Sequence, residues 1–526
     1  MSGGVVAALM RRDHRTPVLI ALILTMALVA MDTTIVATAI PQVVGDLGGF
    51  SLVGWVFSVY LLAQTVTIPV YGKLADLYGR KPVLVVGVVV FLIGSALSAI
   101  AWNMVALILF RALQGLGAGS IGATVNTVAG DLYDVAERGR VQGWLSSVWG
   151  ISAVVAPAIG GVFAEYASWR WIFVVNLPIG ALALTLIVRG LHERVERHTH
   201  RIDYAGAGLL LAAAGLLILG LLQGGTAWAW DSVPSVLVFA GAVLAALVAV
   251  LVERRASEPI MPPWLWTQRL TAGSYGATLT AGLMVIGLST FLPTWAQSVL
   301  GLGPVAAGFV LAVMSMTWPL AAGMSARFYL RIGFRDTALV GALLTVASGV
   351  VFVLTPVDAP VWQPVAGSAL MGAGMGLITS PLIVGLQSTV DWSRRGVVTG
   401  GAMFARFLGQ SLGAAVFGAV TNAVLLHRLD DAPAALRGQV PSTVDGVSRV
   451  LEGGRADAAA SDFLRAAVHA STHAVFLGLL LAGAATVVIL LAAVPRRFPT
   501  VDEPHPSREP GARPVSGTPE ADSAGG

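Results

Sequence analysis

The chain has no cysteine and, among its 526 residues, only two lysines, Lys73 and Lys81. The first absence excludes disulfides, zinc–thiolate centres and thiol redox chemistry. Charge is scarce altogether: Asp, Glu, Lys and Arg make up 11% of the chain, against about 25% in soluble domains. Three chemical signatures are also missing. Lys73 follows Gly72 but precedes Leu74, and no G-x4-G-K-[ST] loop occurs, so ATP is not the expected energy source. H-E-x-x-H and G-x-S-x-G are absent too, which leaves an intramembrane hydrolase without support and the chain reading as a non-enzyme.

What is present is apolar. Hydrophobic residues account for 56% of the chain and the mean hydropathy is +0.80. A bilayer core takes roughly 20 apolar residues of helix to cross. Fourteen such runs occur, at about 17–40, 52–71, 83–101, 104–129, 140–163, 170–190, 203–223, 232–253, 271–294, 305–326, 336–355, 362–386, 397–424 and 470–493. The expectation is an all-α integral membrane protein whose first partner is the lipid bilayer. A net charge of +4 and a pI near 9.6 follow from topology rather than from a nucleic-acid partner. With the N-terminus inside, 24 of the 32 Lys and Arg residues fall in segments on that side, which makes both termini cytoplasmic. The Arg11–Arg15 cluster precedes a run too long for a signal peptide, so that run reads as an uncleaved first helix.

Internal repetition organises these helices. Arg138–Gly143 is similar to Arg395–Gly400 and Gly115–Gly119 to Gly372–Gly376, both at an offset of 257, while Gly79–Lys81 is similar to Gly333–Arg335 at an offset of 254. A near-constant offset marks a parallel repeat of two six-helix units, with two helices intervening. The expected layout has a cytoplasmic N-terminus at 1–16 and a first half at 17–190. Two extra helices with linkers occupy 191–270. The second half, at 271–495, carries a long outer loop at 425–469, and a disordered cytoplasmic tail follows at 496–526.

Ionisable residues inside apolar runs are the candidate sites, because a charge there must pair, face water or neutralise. Asp32 lies well inside the first run and Arg111 inside the fourth. Desolvation favours the neutral form of a carboxylate, so an acid in such a place can take and release a proton in each cycle; a structural acid is the alternative. Arg406 is the remaining cation of this kind, facing a cavity or the cytoplasmic rim. Most tryptophans sit at run ends as interfacial anchors, but Trp149 and Trp318 fall mid-run, where they line a cavity or simply pack. Gln64, Asn126, Gln387 and Gln410 are further polar positions. Gly117–Gly122 matches G-x-G-x-x-G, but no strand precedes it, so its small residues serve helix packing. His469 and His473 lack an evident third metal ligand.

Between the second and third runs stands Gly72–Leu84, GKLADLYGRKPVL. It resembles, almost position for position, motif A of the major facilitator superfamily, G-x-L-a-D-r-x-G-r-k-x-x-l, with Leu77 where the family often has Arg. Arg111, Gln114 and Gly115 resemble motif B. Gly143, Pro157, Gly160 and Gly161 resemble motif C of the antiporters, with Ser152 and Ala156 in place of two glycines. Fourteen spans and the Met31–Pro41 segment are similar to the drug:proton antiporter branch. The resemblance implies the major facilitator fold and proton coupling through Asp32 and Arg111. It also implies a conformational motif of Gly72, Asp76, Gly79, Arg80 and Lys81. In that motif Asp76 docks at the N-terminal end of the thirteenth helix and Arg80 meets Asp131. The implied protein is a monomer of the bacterial cytoplasmic membrane that needs no cofactor and is driven by the proton gradient. It exports hydrophobic or cationic small molecules, and the mid-run positions Gln64, Asn126, Trp149, Trp318, Gln387 and Arg406, chosen by place rather than by resemblance, are the candidates to line its cavity. Export of one endogenous metabolite, lipid or self-made antibiotic is the alternative, and a non-transporting membrane receptor a more distant one.

Overall fold

The computed structural model describes residues 3–49, 52–193, 203–225, 227–433, 436, 441 and 457–499. Among them, fourteen helices are long and apolar enough to cross a membrane. The first six are α1 (Gly3–Leu47), α2 (Val53–Tyr78), α3 (Arg80–Ala99), α4 (Met104–Leu132), α5 (Val135–Tyr166) and α6 (Trp171–Gly190, with a break at Val175). Two more follow, α7 (Tyr204–Gln223) and α8 (Val233–Glu253). The last six are α9 (Arg269–Ser298), α10 (Pro304–Ile332), α11 (Phe334–Val353), α12 (Trp362–Ser388), α13 (Arg395–Asp430) and α14 (Ala458–Ala492).

Helices are the form that satisfies every backbone polar group within one segment, as lipid requires. Polar residues punctuate them. Asn103 caps α4 by accepting from the Ala106 amide at 2.8 Å, and Asp203 caps α7 by accepting from Gly206 at 2.8 Å. The turns from α2 to α3 and from α10 to α11 pass through Gly79 and Gly333, at φ of 95° and 90°, a conformation that a side chain resists. These two glycines are one of the repeat loci seen in the sequence.

The repeat is carried by packing. In the first half α1 packs on α5 and α6, α2 and α3 pack on α4, and α3 on α6. In the second half α9 packs on α13 and α14, α10 and α11 on α12, and α11 on α14, the same pattern shifted by eight helices. The halves meet where α5 lies along α10 and α2 along α13. Helices α7 and α8 pair with each other, and α7 leans on α2 and α13. Leu237, Val243, Leu244 and Leu247 of α8 stay exposed, an apolar surface that suits hydrocarbon.

Two boundaries differ from expectation. Because α13 continues to Asp430 and α14 begins at Ala458, the link between them is shorter than 425–469. The polar residues at both helix ends satisfy their backbone within further turns of helix, which hydropathy alone does not register. The tail expected at 496–526 falls, from residue 500 onward, outside the described residues, as does most of the basic 192–201 connection.

Candidate functional site

Asp32 is fully buried, and polar side chains bond both of its oxygens. The Arg111 guanidinium pairs with its Oδ2. Gln114 Nε2 donates to Oδ1 at 2.8 Å, and Asn176 Nδ2 donates to the same oxygen at 3.3 Å. Arg111 Nη1 also donates to Gln114 Oε1 at 2.7 Å, and Ser95 Oγ accepts from Asn176 at 3.0 Å and donates to the Phe173 carbonyl at 3.0 Å. The guanidinium lies over the Tyr60 ring at 4.1 Å. Five helices of the first half (α1, α2, α3, α4 and α6) thus converge on one carboxylate. Helical spacing does the positioning: Arg111 and Gln114, three residues apart, share a face of α4. Tyr60 Oη is buried with no hydrogen-bond partner beside this network.

A second assembly joins the halves. Asp76 accepts from the Gly396 and Val397 amides, both at 2.8 Å, at the start of α13. A carboxylate there satisfies orphan donors and complements the helix dipole. Arg80 pairs with Asp76 at 3.1 Å and with Asp131 at 2.8 Å, and its guanidinium stacks 3.5 Å over the Trp392 ring. Arg395 pairs with the other oxygen of Asp131 at 3.1 Å. Glu193 accepts from the Arg80 and Lys81 amides, each at 2.9 Å, and so caps α3. The backbones approach closely here: a Cβ at Gly72 would stand 2.6 Å from the Gly396 carbonyl oxygen. Along α5 and α10, a Cβ at Gly143 would stand 2.7 Å from the Gly323 Cα, and Tyr329 Oη donates to the Val135 carbonyl. The end of the molecule that carries Asp76 is closed.

Further in, Ile68 and Ala123 of the first half pack on Ile383, Met403 and Phe407 of the second. Two residues expected to line a cavity, Asn126 and Gln387, lie in this closed contact. Gln387 Nε2 donates to the Asn126 carbonyl at 3.0 Å and to Thr399 Oγ1 at 3.0 Å, while the Asn126 side chain takes a hydrogen bond from Gln142 at 3.2 Å. Gln387 Oε1 is buried without a hydrogen-bond partner among the described residues, and spacing in sequence does not reveal this helix crossing. Gln64 is buried on α2 with its Oε1 unpartnered. Trp149 packs on the core of the first half. Trp318 has the Arg406 guanidinium 4.9 Å from its ring, and Arg406 is partly exposed. In motif C, Gly160 presses on Ile35 and Thr38 of α1, whereas a Cβ at Gly161 would meet open space. His469 and His473 are committed to Trp295 and the Val353 carbonyl.

Sequence reading did not single out Ser95, Asn176, Tyr60, Glu193, Tyr329 or Trp392 for these assemblies. Asn176 carried a usable signal, an amide inside the 170–190 run. Glu193 carried none, since one acid in a polar link looks like any other.

Comparison with known proteins places this geometry. The profile described as Major Facilitator Superfamily matches residues 22–414. The chain is 34% identical over 447 residues to the Multidrug transporter protein MdtP of Bacillus subtilis (strain 168), covering 84% of this chain and 82% of that one. It is also 34% identical over 427 residues to Multidrug resistance protein 3 of the same organism, covering 81% and 83%. In fold it is similar to the human organic anion transporter MFSD10, with a TM-score of 0.60 at 14% identity over 90% of this chain and 99% of that one. It is likewise similar to the proton:xylose symporter XylE, with a TM-score of 0.60 at 12% identity over 92% and 97%. A fourteen-helix membrane protein with this repeat, this latch and these relatives is a transporter rather than an enzyme, and the chain belongs to the Major Facilitator Superfamily.

Proposed function

We propose that the protein is a proton-coupled antiporter that exports hydrophobic small molecules, drugs among them, across a bacterial cytoplasmic membrane by alternating access. The observation that carries the coupling is the sealed Asp32–Arg111–Gln114–Asn176 network. Both oxygens of the carboxylate accept hydrogen bonds, so a proton on Asp32 removes the charge that holds Arg111 and weakens that contact. Uptake of a proton and movement of α1 against α4 are then one event. The printed names of the two Bacillus subtilis relatives support drugs as cargo.

The Asp76 end gathers most of the arginines and on that ground faces the cytoplasm. The latch between Asp76 and α13 holds that end shut, so the described conformation is the one turned outward. Opening inward breaks the Asp76, Arg80 and Tyr329 contacts together, a rigid-body exchange of one interface for another. Linkage requires proton binding and cargo binding to oppose each other by equal free energies.

The test is reconstitution in liposomes with an imposed pH gradient, followed with neutral, cationic and anionic lipophilic dyes and an internal pH indicator. Wild type is expected to move dye with proton counterflow, and Asp32→Asn to fall below a tenth of that rate with unchanged monodispersity. Equal gradient-driven transport by both proteins would remove Asp32 from the coupling.

A further inference from the structure

Within the spans, away from their ends, the described residues hold one acid, Asp32, and two cations, Arg111 and Arg406. Asp32 and Arg111 satisfy each other. Arg406, half-buried, is the one of the three without a charged partner among the described residues. Among the described residues no carboxylate pairs with it, and its ring contact is Trp318, at 4.9 Å. Trp318 itself brings a second unmet donor, because its Nε1–H is buried without a hydrogen-bond partner. Both groups donate and neither accepts. A half-buried guanidinium is stabilised by an anionic partner, and a buried indole N–H by an acceptor. The missing partner is an acceptor, and an anionic one matches the guanidinium best.

The setting says what kind of anion. Arg406 sits eleven residues into α13, about 16 Å from its first turn by helical rise, too deep for a phospholipid headgroup at the interface. Met403 and Phe407, its neighbours on α13, form the contact with Ile68 and Ala123 of the other half, so the site lies where the halves meet. Trp318 supplies the aromatic surface beside it. Gln410 follows one turn along the same face. The sequence reading expected hydrophobic or cationic cargo, but a cation would find no free carboxylate here. We infer that Arg406 and Trp318 form an acceptor-selecting subsite, and that the transported molecules are lipophilic organic anions: aromatic carboxylates, sulfonates or phenolates.

This inference rests on the reading of the protein as an exporter, so its test separates the two. Equilibrium binding to the purified full-length protein needs no gradient. Fluorescein serves as the aromatic anion and ethidium as the aromatic cation, each measured with wild type, Arg406→Gln, Arg406→Lys and Trp318→Phe. Wild type is expected to bind fluorescein at least tenfold more tightly than ethidium. Arg406→Gln loses that preference, Arg406→Lys keeps most of it, and Trp318→Phe weakens fluorescein binding several-fold while retaining the ring. Monodisperse elution of each variant excludes misfolding. A wild type that binds neither dye, binds both alike or favours ethidium overturns the inference, as does a preference that survives in Arg406→Gln. Loss of proton-driven transport with the binding preference intact would instead count against the coupling alone.

Discussion

Removing one member of the Asp32–Arg111 pair leaves the other charged and unmatched in a site where neither is exposed. Breaking such a pair from one side costs about 3–5 kcal/mol, reduced for Asp32→Asn because Gln114 and Asn176 still have an oxygen to bind. The double variant Asp32→Asn/Arg111→Gln removes both charges and leaves amides that can hydrogen-bond. Thermal unfolding in detergent is expected to rank the single Arg111→Gln variant lowest, with the double variant recovering at least half of the loss while gradient-driven transport stays abolished. Additive losses would mean that the two residues do not act as a pair. At this scale the sequence was legible wherever chemistry clashed with its surroundings. An acid at 32 and a guanidinium at 111 stand out against apolar neighbours. Ser95 and Tyr60 do not, since hydroxyls are common in membrane helices and only the fold brings these two beside Asp32.

The two halves are fastened to each other at helix ends. Asp76 accepts two amides at the start of α13, and Gly72 lets the backbones of α2 and α13 meet. Charge at a helix N-terminus contributes about 0.3–1 kcal/mol, and up to about 2 when partly buried. Asp76→Asn is therefore expected to shift the closed-to-open ratio at this end by about fivefold or more, since 1 kcal/mol corresponds to about that factor. Gly72→Ala acts in the same direction by wedging a methyl group against the Gly396 carbonyl. The chain has no native cysteine, so spin labels at Tyr78→Cys and Ser393→Cys, both exposed, report these positions alone. Distance distributions that stay unchanged in both variants would show that the latch does not set the balance. Motif A displayed its charges and glycines in sequence, and the resemblance supplied the partner helix. Trp392 under Arg80 and Glu193 over α3 come from segments more than a hundred residues away, and no local pattern announces them. Helix ends were likewise misjudged at α13 and α14, where polar turns continue beyond the apolar run.

Over the whole molecule, charge bookkeeping separates the possible cargoes. Exchange of one cation outward for one proton inward moves no net charge, and only the pH gradient drives it. Exchange of one anion outward for one proton inward moves two positive equivalents inward. A membrane potential adds about 2.3 kcal/mol for each charge per 100 mV, so an inside-negative membrane would drive anion export strongly even without a pH difference. At the inferred subsite between the halves, no carboxylate among the described residues pairs with Arg406, while Asp32 is paired with Arg111. An exporter built this way should respond to potential. In proteoliposomes at equal pH on both sides, a potassium diffusion potential set with valinomycin is expected to accelerate fluorescein transport several-fold in the direction that moves the anion toward the positive side. The same potential should have no such effect in Asp32→Asn, where the proton limb is lost. Indifference of wild-type transport to the potential would mean that charge is balanced within each cycle, which one anion leaving against one entering proton cannot achieve.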